Sequence, residues 1–227
     1  MRIRAGDQVL IVGSKGSGKS TIATTWASTA AWSRSLIFDP KLDPNAIPRD
    51  RAGAPSAVIA YGVDAARRQL RRGAGRVVYR PTPADFDDLP GAFDELVRLI
   101  YQGGGGRALV LHETADVAPA SGSRRFLSAL WRQSRSLGVP IVALTQRPVG
   151  VDRHAVTEPA HVAIFDVNHP DDRRLLAQLV GFDSARQLPR PSRPFAFLSW
   201  SAGGRLVEHA PYPELRQLRQ DPGPDLR

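Results

Sequence analysis

Gln8-Val9-Leu10-Ile11-Val12-Gly13-Ser14-Lys15-Gly16-Ser17-Gly18-Lys19-Ser20 is the stretch that decides the fold. Residues 8–12 form a short apolar run that stops at a glycine, the pattern of a buried strand. From Ser20 to about Ser33 the sequence reads as a helix. Between the two, Gly13–Ser20 matches G-x-x-x-x-G-K-[ST] in full. Glycines let the backbone curl so that successive N–H groups point at phosphate oxygens, and the helix N-terminus adds the positive end of its dipole. The cradle is Gly13, Ser14, Lys15, Gly16, Ser17, Gly18, Lys19 and Ser20. Lys19 is expected to reach the β and γ phosphates of ATP, Ser20 to ligate Mg²⁺, and Thr21 to help hold the α phosphate.

Outward from this stretch, short apolar runs alternate with helical patterns. Strands are expected at 36–38, 57–61, 76–80, 108–111, 139–145 and 161–167. Helices are expected at 64–72 (capped by Asp64), 85–101 (broken near Pro90-Gly91), 123–137 and 171–180. Residues 195–200 and 206–209, joined around Gly203-Gly204, read as a closing hairpin. Residues 40–55 are proline-rich and read as irregular surface. Gly103–Gly106 lacks a Gly-Lys-Ser ending and reads as a flexible turn. Strands alternating with helices imply an α/β fold, a largely parallel sheet covered on both faces. One ATPase domain is expected over 1–216, with a loose tail over 217–227.

Composition narrows the partners. The 227 residues are 42% apolar, enough for a core, and carry a net charge of +9. The pI is 10.9. A basic balance of this size favours a polyanion, usually nucleic acid. Only three basic residues are lysine, namely Lys15, Lys19 and Lys41, and the other 28 are arginine. In so arginine-biased a chain, a remaining lysine is a candidate for a chemical requirement. Two of the three lie in the phosphate loop and the third follows Asp39-Pro40. No cysteine is present, which excludes disulfides and cysteine–zinc sites. No apolar run approaches the roughly 20 residues a membrane span needs. With the glycine-rich motif opening at Gly13 and no room read for a signal peptide, a cytoplasmic protein is expected.

The run Ala108–Leu111 delivers His112-Glu113 to a strand end. A phosphate-loop enzyme needs an acidic group beside magnesium and a group that orients or activates the attacking water. Glu113 is placed for such work, as catalytic base and, with Ser20, at the metal. His112 stands where an aspartate is expected. A neutral imidazole can accept a hydrogen bond from a metal-bound water but brings no charge, so the role shifts toward Glu113 or becomes pH-sensitive. A second apolar strand, 139–145, carries Gln146 at its tip, where it suits a γ-phosphate sensor. Upstream lies Arg132-Gln-Ser-Arg135-Ser-Leu-Gly.

Four segments in order resemble the FtsK–HerA superfamily of ring-forming DNA motors: Gly-Ser-Lys-Gly-Ser-Gly-Lys-Ser at 13–20, Ile-Phe-Asp-Pro-Lys at 37–41, Leu-His-Glu-Thr-Ala-Asp at 111–116 and Leu-Thr-Gln-Arg-Pro at 144–148. The first is generic; the Asp-Pro-Lys and Thr-Gln-Arg-Pro segments are far more specific. The resemblance covers about residues 6–180. It implies a RecA-like ATPase core acting as a homohexameric ring around double-stranded DNA. It carries Lys19 and Ser20 over as nucleotide and magnesium ligands, Glu113 as base and Gln146 as sensor. Arg135 sits where the family often has an arginine that reaches a neighbour's nucleotide, with Arg132 and Arg147 as rivals. The segment 119–125, ending in Arg124 and Arg125, resembles a pore loop that grips DNA phosphates. Arg67, Arg68, Arg71 and Arg72 make a helical stripe that suits either DNA or solvent. A core without the extra domains of the larger motors resembles the genome-packaging ATPases of membrane-containing viruses. This adds capsid or membrane-vertex proteins as partners and a virion-associated location. Open alternatives are a pump for plasmid transfer or chromosome partition, a small-molecule kinase, and a non-hydrolysing nucleotide-binding scaffold.

Overall fold

The computed structural model describes residues 3–29 and 32–211. Nine strands form one sheet: β1 (Gln8–Val12), β2 (Ser35–Phe38), β3 (Val58–Tyr61), β4 (Arg76–Arg80), β5 (Ala108–Leu111), β6 (Ile141–Thr145), β7 (His161–Ile164), β8 (Phe197–Ser201) and β9 (Val207–His209). Six helices connect or flank them: α1 (Lys19–Ala27), α2 (Val63–Arg71), α3 (Leu89–Gln102), α4 (Arg125–Gln133), α5 (Arg153–Thr157) and α6 (Pro170–Leu179). Strand order is β3-β4-β2-β5-β6-β1-β7-β8-β9. The first seven in that order pair in parallel, and β8 and β9 add an antiparallel hairpin at the edge. This is the α/β, mostly parallel sheet with a C-terminal hairpin that the sequence implies.

Parallel strands are buried on both faces, which is why their sequences read as unbroken apolar runs. Alternate residues divide between two cores. Leu10, Val12, Leu36, Phe38, Leu109 and Leu111 point toward the face where α2 to α6 pack. Val9, Ile11, Ile37, Val110, Val142 and Leu144 point to the other face, where Ile22, Ala23 and Ala27 of α1 meet them. Both faces are covered, but unequally.

Local chemistry corrects several expected boundaries. The first helix ends at Ala27 instead of continuing to Ser33. The hydroxyls of Ser28 and Thr29 bond back to the carbonyls of Thr24 (2.8 Å) and Trp26 (2.7 Å), the local competition that makes Ser and Thr poor helix formers. Pro90-Gly91 opens α3 instead of breaking a helix. Asp88 accepts a bond from the Gly91 N–H at 3.1 Å, and a proline in the first turn gives up no intrahelical bond. α4 is shorter than 123–137 because its cap comes from afar: the Asp94 carboxylate of α3 accepts from the N–H groups of Phe126 (3.0 Å) and Leu127 (2.8 Å). Gly62, not Asp64, caps α2. The five-residue α5, held by Asp152 at its start, has too short a period to be read from sequence. The tail expected over 217–227 lies outside the described residues.

Candidate active site at the strand tips

β6 lies between β1 and β5, so the loop after β1, Gln146 after β6 and Glu113 after β5 emerge side by side from one end of the sheet. The register aligns them: Val12 lies level with Thr145, and Leu111 with Ala143. The loop itself is shaped by its glycines. A Cβ on Gly13 would meet Phe165 Cβ at 2.5 Å and Ser17 Oγ at 2.7 Å. Gly16 (φ 74°) and Gly18 (φ 104°) take left-handed conformations that other residues rarely adopt. Gly18 caps α1 without a side chain, so the first helical N–H groups are left to the loop's concavity. The Ser17 hydroxyl is buried with no partner among the described residues. Lys19 Nζ donates to the carbonyls of Gly13 (2.7 Å) and Ser14 (2.8 Å), which folds the ammonium over the loop. Burial lowers its pKa to about 8 against the opposing pull of Glu113. Orphan donors and a hydroxyl around a curled backbone fit a phosphate chain.

At the end of β5, Glu113 is nearly buried and its carboxylate is doubly engaged. Gln146 Nε2 donates to Oε2 at 3.2 Å, and Lys41 Nζ contacts the same oxygen. His112 has its backbone pinned by Phe38 (N–H to O, 3.0 Å), yet both ring nitrogens are buried without a partner among the described residues. Burial pushes its pKa down to about 4, so it is neutral at pH 7. Asp116, one turn on, has its carboxyl raised by burial and by the Glu113 charge. Sequence reading gave Asp116 no role.

Among the described residues no cluster of three or more His, Asp or Glu side chains could hold a metal unaided. Magnesium characteristically uses one or two carboxylates and completes its shell with waters and substrate phosphates. Ser20 and Glu113 supply a hydroxyl and a carboxylate suited to that mode, while the His112 ring nitrogens are closed off from solvent with their hydrogen-bonding capacity unused.

The structure does not gather every residue singled out above. Arg135 is exposed and lies at the opposite end of β6 from Gln146; a Cβ on Gly6 would meet its Cα at 2.5 Å. Arg132, also exposed, donates to Ser128 O at 3.3 Å. Arg147 is used within the chain, its Nε donating to the buried Asp172 carboxylate at 2.6 Å. That pair ties the turn carrying Gln146 to α6. Arg124 is paired with Asp88 at 2.9 Å, and the Arg125 guanidinium lies 5.4 Å from the Phe126 ring centre. Arg67 is paired with Asp64 and Glu95.

Two features escaped sequence reading. A cavity of about 500 Å³ beside the loop is lined by Ser14, Gly16, Phe165, Asp166, Arg190 and Phe195, a volume typical of small-molecule pockets. Arg190 donates to Asp166 and Asn168, both at 2.8 Å, and Phe195 holds a left-handed φ of 65°. Trp200 of the C-terminal hairpin packs against the helix-covered core. The second feature is the contact of Lys41 with Glu113, signalled in sequence by the retained third lysine and its Asp-Pro-Lys segment but not as a pair.

A parallel sheet with a glycine-rich phosphate loop, a glutamate and a glutamine on three neighbouring strand tips defines the RecA-like P-loop ATPase fold. The genome packaging NTPase B204 from Sulfolobus turreted icosahedral virus 2 has the same architecture. Its complex with sulfate aligns with a TM-score of 0.70 at 16% identity over 92% of this chain and 98% of that one. Its complex with ATP-gammaS gives 0.68 at 17% identity over 92% and 100%. The conjugation coupling protein TcpA of pCW3 aligns with a TM-score of 0.54 at 17% identity over 94% of this chain and 65% of TcpA. No protein-family profile and no curated protein matches the chain. At these identities the likeness is one of fold.

Proposed function

We propose that the protein is a magnesium-dependent ATPase that moves double-stranded DNA, and that its work is to load a viral genome into a capsid. The observation that carries this reading is the convergence of Lys19, Gln146 and Glu113 on adjacent strand tips beside a cradle of unpaired donors. In this reading Lys19 and the loop amides hold the β and γ phosphates, and the cavity at Phe165 and Phe195 takes the base. Ser20 and Glu113 would hold Mg²⁺, directly or through water with His112, and the ion when bound would supply neutralisation of charge on the phosphates. Gln146 orients the Glu113 carboxylate, and Glu113 accepts the proton of the attacking water. Residues 1–216 form the ATPase unit.

An arginine from a neighbouring copy completes the site, with Arg135 the first candidate. Arg147 is the weakest of the three, because freeing it would strand the buried Asp172. The copies form a ring, six in this reading, that contacts DNA through Arg124 and Arg125 and docks on capsid or vertex proteins. Support comes from the basic balance, the four segments of the superfamily and the fold shared with a packaging NTPase. The test is displacement of a third strand from a long duplex. ATP-driven displacement that depends on Glu113 is expected, and hydrolysis without displacement would contradict DNA translocation.

A further inference from the structure

Lys41 stands outside the roles assigned so far, yet its surroundings are built to present it. Asp39, before it, is wholly buried; its carboxylate accepts from Arg80 Nε at 2.9 Å and from the Asp43 N–H at 3.0 Å. Arg80 also donates to Asp43 O at 3.2 Å. These bonds clamp both ends of the turn 39–43. Within it Leu42 is half exposed and held at φ 54°, a conformation that persists in a non-glycine residue only when the surroundings dictate it. The product of this clamp is a lysine whose side chain is half exposed and whose ammonium meets the nearly buried Glu113 carboxylate. The same carboxylate accepts from Gln146 at 3.2 Å, on the strand tip next to the phosphate loop, so the ammonium belongs to that site.

We propose that Lys41 reads the γ-phosphate: its ammonium restrains Glu113 until ATP binds, then moves to the terminal phosphate and frees the carboxylate for water. The proposal rests on the ATPase reading above. Three physical points carry it. The Lys41 end of the ion pair is half exposed, so its ammonium is free to exchange partners. A terminal phosphate offers more negative charge than a carboxylate, so the exchange runs toward ATP and away from ADP, which lacks that group. Lysine suits the exchange because it is a compact point charge with rotatable donors, whereas arginine would lock onto Glu113 through a two-bond fork. This gives a chemical reason for the one lysine outside the phosphate loop in a chain whose other basic residues beyond that loop are arginine.

The test is calorimetric titration of the full chain with ATP-gammaS and with ADP, each with Mg²⁺. Wild type is expected to prefer ATP-gammaS. Lys41→Met is expected to cut that preference about tenfold, equivalent to about 1.4 kcal/mol, while ADP affinity stays within about twofold. Lys41→Arg is expected to bind both nucleotides and to lower kcat more than KM changes. Equal weakening of both nucleotides, or an unchanged ratio in Lys41→Met, overturns the proposal. Wild type that binds neither nucleotide overturns the ATPase reading itself and the proposal with it.

Discussion

The phosphate loop and the tip of β5 face each other across one site but are built differently. The loop is almost self-contained: its shape follows from Gly13, Gly16 and Gly18, and its lysine bonds to carbonyls five and six residues away. The tip of β5 is assembled from distant segments. Glu113 is held by a residue 72 positions before it and by another 33 after it. The His112 ring has no hydrogen-bond partner among the described residues. A self-contained loop can be read from eight consecutive letters; an assembled tip needs the fold before its contacts exist. The same difference predicts that damage to the loop removes binding and hydrolysis together, whereas damage to the tip separates them.

Lys19→Ala should break the loop side most severely. Steady-state hydrolysis is expected to fall by about 10³-fold or more, with ATP binding weakened as well, since a donor aimed at transferring charge is lost. Hydrolysis near the wild-type rate would remove the loop from the chemistry. Glu113→Gln should sharpen the contrast. Turnover is expected to drop by about 10²-fold or more while nucleotide affinity is kept, the mark of a lost general base. A variant that loses ATP binding to the same extent would show that the carboxylate mainly organises the site.

His112 supplies a stability test of the tip. Its folded pKa, about 4, lies below its ordinary 6.5, so between those values the unfolded chain binds more protons. Stability is complete above pH 6.5 and declines as pH falls toward 4, by on the order of 3 kcal/mol for this one group. Urea titrations of wild type and His112→Asn across that range should diverge in slope, the variant being flatter. Parallel curves would mean that the imidazole stays accessible to protons. The smallest effect is expected far from the tip, at Arg124 and Arg125. Replacing both with alanine should change stability by no more than about 1 kcal/mol, because the Arg124–Asp88 pair is exposed. The salt dependence of DNA binding should become shallower by about two counterions. An unchanged salt slope would place the DNA grip elsewhere.

Much of this molecule was legible in its sequence for physical reasons that differ by region. The parallel sheet was readable because strands buried on both faces need unbroken apolar runs, as in Val9–Val12 and Ile141–Leu144. The hairpin was readable from Gly203-Gly204. Helix ends were less readable, because a cap can come from another element, as Asp94 does for α4, or from a glycine with no side chain to signal it, as Gly62 does for α2. Glu113, Gln146 and the loop were placed by pattern alone, and the fold then set them side by side. What no pattern could give were the long-range pairs: Arg147 on Asp172, Arg80 on Asp39, and Lys41 on Glu113. Arg107 belongs with them. It is buried at the far end of the sheet, donating to the carbonyls of Ser35 (3.2 Å) and Ala74 (2.8 Å) and contacting that of Gly75. Each of these joins segments whose proximity depends on strand order, which alternation in sequence does not encode.

The central claim is that these three strand tips form an ATPase driven by contact with DNA. It is tested most directly by steady-state ATP hydrolysis with Mg²⁺, with and without long double-stranded DNA, at low and high salt. Hydrolysis stimulated by DNA at low salt, with the stimulation fading as salt rises, is the predicted result. Turnover indifferent to DNA at both salts, or none under any condition, would contradict it.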